Sequence, residues 1–143
     1  MNRGVSNGMG ESNQNSLAGR RILLVDDTDD ARRLLRYVLQ LADAEILEFS
    51  GATDVLEVAQ REKPDLILMD VHMPGLDGLS ATRQLRAHEP TRNIPIVIVS
   101  ASAMPQDREA ASQAGCDGFI AKPIDVMTFA HEVAQFLRPT ASS

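Results

Sequence analysis

Five residues of this sequence have side chains that could together handle a phosphoryl group, and each lies directly beyond a short apolar run. They are Asp26, Asp27, Asp70, Ser100 and Lys122. Carboxylate oxygens are the ligands that hard divalent cations prefer, and an aspartate can act as a nucleophile toward phosphorus. A lysine charge and a serine hydroxyl are suitable partners for phosphoryl oxygens. This chemistry requires that the fold bring the five residues together.

The elements that would position them are five strands separated by helices. The strands are predicted from runs rich in Ile, Val and Leu: Ile22–Val25, Ile46–Phe49, Leu66–Met69, Ile96–Val99 and Phe119–Ala121. Such alternation predicts an α/β fold with βαβ crossovers and a mostly parallel five-stranded sheet that has helices on both faces. Ligands of such sheets bind beyond the carboxyl ends of the strands, so we expect the five residues to converge there.

Apolar residues at helical spacing predict the helices. The pattern is strongest from Ala31 to Ala42, where Leu34 belongs to the buried face and Arg32 to the outer face, and from Val126 to Leu137. It is shorter from Ala52 to Ala59 and weaker over 78–88 and 105–114. The weaker patterns predict helices with fewer buried contacts.

Asp70 is the best candidate nucleophile because it stands alone on the predicted central strand, flanked by the others. Three neighbouring carboxylates repel one another unless a cation compensates their charge. Mg²⁺, or Mn²⁺ in its place, suits such a site because Mg²⁺ uses one or two carboxylates and takes further ligands from phosphate. The sequence therefore predicts a metal-assisted aspartyl-phosphate site in which Asp26, Asp27 and Asp70 face the metal.

Four segments together resemble the receiver domains of two-component response regulators. They are ILLVDD at 22–27, LILMDVHMPGLDG at 66–78, IVIVSA at 96–101 and FIAKP at 119–123. The resemblance implies a flavodoxin-like sheet of strand order 2-1-3-4-5. It implies that Asp27, Asp70 and the backbone carbonyl of His72 bind Mg²⁺ directly, with Asp26 acting through water. Asp70 would accept phosphate from a phosphohistidine, and the Lys122–Pro123 bond would be cis.

The same resemblance makes Ser100 and Phe119 a switch pair. The hydroxyl would move toward the phosphoryl group and the ring into the vacated space, which would change the face formed by the fourth helix, the fifth strand and the fifth helix. That face would contact a downstream protein target. His72 and Ser102 would tune the access of hydrolytic water to the aspartyl-phosphate.

Nearby polar and glycine residues receive structural interpretations. Asp29 and Asp30 are interpreted as N-caps of the first helix. Pro74, Gly75 and Gly78 are interpreted as the turn beyond Asp70.

Composition limits the remaining possibilities. The chain has 143 residues and a net charge of −6, without the cluster of Lys and Arg that a nucleic-acid interface requires. No signal peptide, transmembrane run or internal disulfide is expected, since Cys116 is the one cysteine. We expect a flexible tail at 1–19, the receiver domain at 20–138 and a short tail at 139–143, in a cytoplasmic protein that is a monomer or weak dimer.

These features favour a single-domain response regulator over other roles. It would not be an enzyme in the usual sense, although it would promote its own phosphorylation and dephosphorylation, and its donor would be a histidine kinase or histidine phosphotransfer protein. The first alternative is a receiver module of a hybrid histidine kinase that passes phosphate to a histidine phosphotransfer domain. A second is a haloacid-dehalogenase-like phosphatase using Asp27, which would leave Asp70 unexplained. A flavodoxin-like electron carrier is disfavoured because the acids at 26–30 would repel a flavin phosphate.

Overall fold

A computed structural model describes residues 16–51, 54–71 and 77–138 of the chain. Five parallel strands form one sheet in the order β2-β1-β3-β4-β5. Their bounds are Arg21–Val25 (β1), Glu45–Phe49 (β2), Leu66–Met69 (β3), Ile96–Ser100 (β4) and Gly118–Ala121 (β5). The predicted fold class and strand order are confirmed, and each strand end lies within one residue of its prediction.

Helices connect the strands, as the alternating pattern predicted. They are α1 (Asp29–Leu41), α2 (Val55–Glu62), α3 (Gly78–Ala87), α4 (Pro105–Ala114) and α5 (Phe129–Ala134), with a short 3₁₀ helix at Glu89–Thr91. None of the helices in the described ranges has the length and apolarity that a bilayer crossing requires.

The sheet is buried on both faces. Alternate strand residues such as Leu24 and Leu68 pack with α1 and α5, whereas Leu23 and Ile67 pack with α2, α3 and α4. Because every other strand side chain enters each layer, both faces need apolar residues, which explains the near-continuous apolar runs. The two packed layers hold the strand ends in fixed positions relative to one another.

The last helix is shorter than predicted. It begins at Phe129 rather than near Val126, whose side chain is 49% exposed. Asp125 accounts for this, because its side chain accepts the Met127 N–H at 2.9 Å and its backbone carbonyl accepts the Thr128 N–H at 3.1 Å. The segment before α5 is therefore a hydrogen-bonded turn.

Two predictions for α1 are wrong. Leu34, predicted to be buried, is 44% exposed, whereas Leu35, Val38 and Leu39 form the packed face. Arg32, predicted to point outward, is held against the protein by Asp29 and Glu48.

The boundary of the predicted N-terminal tail is also wrong at its inner end. Residues 1–15 lie outside the described part of the chain, as do residues 139–143 of the predicted C-terminal tail. Leu17, however, is fully buried in the α1/α5 layer, and its N–H donates to the Ala42 carbonyl at 3.2 Å. The scattered apolar residues of this polar segment have no periodicity from which the packing of Leu17 could have been predicted.

Candidate functional site

The backbone register of the sheet brings the candidate residues to one edge. The N–H of Asp70 donates to the Val25 carbonyl at 3.0 Å, so strand pairing continues one residue beyond β3. The N–H of Lys122 likewise donates to the Ser100 carbonyl at 2.8 Å. Residues that follow neighbouring parallel strands therefore lie side by side, as the sequence predicted.

Three carboxylates cluster at this edge. One carboxylate oxygen from each of Asp26, Asp27 and Asp70 lies within 4.8 Å of the others. Asp26 and Asp70 are only 1% and 9% exposed, whereas Asp27 is exposed. Among the described residues this grouping brings together oxygen donors of the kind that a hard divalent cation prefers.

Lys122 reaches into the carboxylate cluster from the end of β5. Its Nζ lies 3.0 Å from Asp26 Oδ2 and 3.5 Å from Asp70 Oδ2. Burial lowers the pKa of Lys122, but the hydrogen bond that Lys122 donates to Asp26 and the attraction of Asp26 and Asp70 outweigh it and raise the pKa above its ordinary value. Lys122 is therefore a fixed positive charge at neutral pH.

Asp26 is held by two further hydrogen bonds. Its Oδ1 accepts the Thr28 N–H at 2.9 Å, which fixes the turn between β1 and α1. Its backbone carbonyl accepts a hydrogen bond from the Arg32 guanidinium at 2.7 Å. Because Asp26 makes these contacts on both sides, its carboxylate has a defined orientation toward Lys122.

Ser100 lies on β4 and Phe119 on the neighbouring strand β5. Ser100 is the last residue of β4, is 1% exposed, and its Oγ accepts the Ser102 N–H at 3.1 Å. Phe119 is half-buried on β5, and the Arg108 guanidinium carbon lies 4.8 Å from its ring centroid. The Arg108 contact was not predicted, because it joins residues on different elements.

The Lys122–Pro123 peptide bond is cis, which confirms the prediction. His72, Pro74 and Gly75 lie outside the described residues.

Gly78 has a different role from the predicted one. It is the first residue of α3, and a Cβ at this position would lie 2.2 Å from the backbone oxygen of Asp70. No side chain fits at that distance, because a carbon and an oxygen in contact lie more than 3 Å apart. Gly78 thus lets α3 pack directly against the backbone of the candidate nucleophile. The apolar run before Asp70 did not predict this contact.

Asp29 and Asp30 do not cap α1, so that interpretation is wrong. The N-cap is Thr28, and the two acids form the first turn, where they pair with Arg32 at 2.7 Å and Arg33 at 3.3 Å. Acids in the first turn favour the positive end of the helix dipole, which is a structural role close to the predicted one. Both acids lie outside the three-carboxylate group.

The sequence is similar to a known protein family and to individual proteins. The family model of the response regulator receiver domain matches residues 22–134. The polar-differentiation response regulator DivK of Brucella ovis is 33% identical over 118 residues, which are 82% of this chain and 96% of that protein.

Solved receiver structures agree with the same assignment. A receiver domain of a sensor histidine kinase from Pseudomonas aeruginosa, with a magnesium ion coordinated in its active-site cleft, superposes with a TM-score of 0.77 at 34% identity over 83% of this chain and 98% of that one. The BeF3-activated N-terminal receiver domain of RstA from Klebsiella pneumoniae gives a TM-score of 0.77 at 26% identity, covering 83% of this chain and 99% of that one. With the strand order, the strand-end carboxylates and the family match in agreement, this chain belongs to the response regulator receiver domain family.

Proposed function

We propose that this receiver takes a phosphoryl group on Asp70 from a phosphohistidine of a histidine kinase or histidine phosphotransfer protein. The observation that carries the proposal is the position of Asp70 at the end of β3, in a carboxylate group with Asp26 and Asp27 and 3.5 Å from the Lys122 ammonium. The phosphatase alternative gave no role to Asp70, whereas here it is the candidate nucleophile.

The reaction follows from the groups present. A carboxylate oxygen of Asp70 forms a bond to phosphorus as the bond from phosphorus to the donor's imidazole nitrogen breaks. The bonding electron pair stays on that nitrogen, and because the other ring nitrogen of the donor carries a proton, the imidazole leaves as a neutral base. Lys122 stabilises charge on the phosphoryl oxygens, and the Ser100 hydroxyl donates a hydrogen bond to one of them. Since Asp70 needs no activating base, positioning and charge neutralisation supply the catalysis. The receiver in this way promotes its own phosphorylation and dephosphorylation.

Asp26, Asp27 and Asp70 would hold Mg²⁺ or Mn²⁺, together with the backbone carbonyl of His72. When bound, the metal would neutralise the carboxylates and the incoming phosphoryl group. The fit rests on the shared 4.8 Å spacing and on the all-oxygen donors. The magnesium-bound receiver domain from Pseudomonas aeruginosa supports the same assignment.

An apolar groove of about 340 Å³ beside Lys122 suits the flank of a phosphohistidine donor. Leu34 of α1 and Ile124 after β5 line this groove, and the 44% exposed Leu34 leaves it open to a partner. Exposed apolar surface of this kind marks protein contact sites. Because the groove borders Lys122, a helix docked there would bring its phosphohistidine toward Asp70.

The output would be the face formed by α4, β5 and α5. Phe119 and Phe136 line a second cavity there, of about 460 Å³. Movement of the Phe119 ring would change its shape, and a downstream protein would read that change.

We propose a single-domain response regulator in the cytoplasm, acting as a monomer or weak dimer, with a receiver domain that includes the buried Leu17 and extends to residue 138. The DivK relatives support this, because the chain covers 96% of their length. The receiver module of a hybrid kinase stays the alternative, since a sensor-kinase receiver is 34% identical.

Offering the phosphorylated protein a panel of histidine phosphotransfer domains tests this choice. Rapid transfer to one of them would favour the relay role, whereas retention of the phosphate would favour the single-domain regulator.

Incubation with Mg²⁺ and a small acyl phosphate, followed by intact-mass measurement, tests the central proposal. The wild type should gain one phosphoryl group and Asp70→Asn none. Asp43→Asn is the matched control, because Asp43 is an exposed acid in a turn whose φ of 70° an asparagine tolerates. An adduct on Asp70→Asn, or none on the wild type and Asp43→Asn, would contradict the proposal.

A further inference from the structure

The first turn of α4 is hydrogen-bonded to the switch hydroxyl through one intervening residue. The Ser102 N–H donates to Ser100 Oγ at 3.1 Å, and the Ser102 hydroxyl donates to Asp107 Oδ2 at 2.7 Å. The same Asp107 oxygen accepts the Met104 N–H at 3.0 Å, directly before the helix begins at Pro105. The position of Ser100 and the start of α4 are thus set by one hydrogen-bonded chain.

The next residue of α4 contacts the other member of the switch pair. The Arg108 guanidinium carbon lies 4.8 Å from the centroid of the Phe119 ring, within the distance at which a cation is attracted by the face of an aromatic ring. Arg108 is exposed and Phe119 is half-buried, so the guanidinium covers the outer side of the ring. Asp107 and Arg108 therefore connect one helical turn to both Ser100 and Phe119.

Little apolar burial competes with these polar contacts. The buried residues of α4 are Ala111 and Ala114, whereas α1 buries Leu35, Val38 and Leu39. Since burial energy increases with apolar area, the two alanines anchor α4 far less strongly than the larger side chains anchor α1. The contacts of Asp107 and Arg108 therefore add to a small apolar anchor.

We infer that Asp107 and Arg108 are positioning residues that hold Ser100 and Phe119 in the resting arrangement and couple their movements through the first turn of α4. The inference rests on the proposed phosphoacceptor function and deepens it. Rotation of the Phe119 ring separates it from Arg108. Movement of the Ser100 hydroxyl toward a phosphoryl group disturbs the Ser102–Asp107 pair, so each change weakens a contact of the same turn.

Removing the Arg108 contact should therefore ease activation. We would titrate the wild type, Arg108→Gln and Arg83→Gln with beryllofluoride in the presence of Mg²⁺, and follow phenylalanine ring signals by NMR in ¹³C-Phe-labelled protein. Arg83 is the matched control, because it is an exposed arginine of α3 and its loss changes the net charge equally.

Arg108→Gln should bind beryllofluoride about 2- to 5-fold more tightly than Arg83→Gln, the factor that corresponds to one exposed cation–π contact. Its Phe119 signal without ligand should be displaced toward the position seen at saturation. A signal shift along that line reports a population change, which a purely structural role of Arg108 would not produce. Equal or weaker binding by Arg108→Gln would overturn the inference.

Two further variants test the coupling itself. In a Phe119→Leu background, Arg108→Gln should no longer change the binding midpoint, because the contact that it removes is already gone. In protein that keeps Phe119, Asp107→Ala should shift the Phe119 signal in the same direction as Arg108→Gln does. Asp107→Asn, which keeps an acceptor oxygen for Ser102 and Met104, should shift that signal less. An unchanged effect of Arg108→Gln in the Phe119→Leu background would contradict the coupling.

The outcomes separate this inference from the function on which it rests. A wild type that binds no beryllofluoride at Asp70 would contradict the proposed function and the inference with it. A wild type that binds normally, with Arg108→Gln identical to Arg83→Gln, would overturn the coupling alone.

Discussion

The two ends of the β-sheet hold acidic side chains in opposite ways. At the amino ends, Asp65 Oδ2 accepts the Arg21 N–H at 2.8 Å, and Asp117 Oδ2 accepts the Ile96 N–H at 2.9 Å. Asp117 also pairs with Arg86 at 2.7 Å. Asp65 in turn pairs with Arg20 at 3.8 Å, so each of these acids has a backbone partner and an arginine partner that balances its charge.

At the carboxyl ends, Asp26, Asp27 and Asp70 lie together, and Lys122 contacts two of them. Three negative charges against one positive charge leave an excess that a bound cation could neutralise. An acid whose charge is balanced by its partners at a strand end thus stabilises the fold, whereas a group of acids with excess negative charge indicates a ligand site. Variants at the two ends should therefore have different consequences.

The largest effect on stability is expected at the amino end, from Arg86→Ala. The guanidinium donates to the carbonyls of Gly115, Arg92 and Ile94 and to Asp117, at distances between 2.7 and 2.9 Å. Its removal leaves several acceptors unpaired and should lower the free energy of unfolding by about 3 kcal/mol, measured by urea denaturation.

Arg83→Ala, on the exposed side of the same helix, is the control and should change stability by less than about 0.5 kcal/mol. The phosphorylation rate of Arg86→Ala should stay near that of the wild type under conditions where the variant is folded. A stability loss below about 1 kcal/mol would show that the amino-end network is weaker than its geometry implies.

Cys116 gives a second test of the amino end, through pH. Burial raises the pKa of its thiol to about 11 from 9.0, although the charge of Arg86 opposes the shift, and its Sγ lies 2.8 Å from the Ala111 carbonyl. The folded thiol therefore stays protonated while the unfolded thiol ionises, so this group's contribution to stability is lost as pH rises from about 9 to 11.

Alkylation by iodoacetamide at pH 8 measures this difference. The folded protein should react roughly 100-fold more slowly than the urea-unfolded chain, since two pKa units correspond to that ratio of thiolate. Equal rates in the folded and unfolded wild type would mean that the thiol is not protected.

Most of the fold could be predicted because its elements are locally encoded. Apolar runs such as Leu66–Met69 match the observed strands closely, since a strand buried on both faces needs apolar residues at every position. Helix ends were predicted less well. Val126 continued an apolar pattern, but the hydrogen bonds of Asp125 form a turn before α5.

The gathering of the site residues could be predicted from the sheet alone, because Asp26, Asp70 and Lys122 each follow a strand. Contacts between elements could not. Arg108 over Phe119 and Gly78 against Asp70 depend on how the helices pack, which no local pattern encodes. The sequence thus predicts where the chemistry lies better than how it is coupled to the surface.

At the carboxyl end, Asp70→Asn should have a smaller and opposite effect on stability. Removing one of three clustered charges should raise the free energy of unfolding in metal-free buffer by about 1 kcal/mol, the scale of the repulsion between two unit charges about 4 Å apart in water. Asp70 suits this test better than Asp26, whose oxygen lies nearer to the Lys122 ammonium, at 3.0 Å.

Urea denaturation with and without Mg²⁺ separates the causes of that effect. Mg²⁺ should stabilise the wild type by binding the folded state and should reduce or remove the advantage of Asp70→Asn. Lower metal-free stability of Asp70→Asn than of the wild type would argue against repulsion within the cluster.

The smallest effect is expected from Asp30→Asn, which tests where the acidic site ends. Asp30 is exposed and pairs with Arg33 at 3.3 Å, an exposed contact within one helical turn. Its loss should change stability by less than about 0.5 kcal/mol and leave the Mg²⁺ affinity unchanged. Asp27→Asn, three residues earlier and within the carboxylate group, should weaken Mg²⁺ binding at least about tenfold by calorimetry, because changes even in the outer shell of a metal site cost that much. If both variants weakened Mg²⁺ binding equally, Asp30 would belong to the metal site as much as Asp27 does. The distinction between charge-balanced acids and the grouped carboxylates would then be wrong.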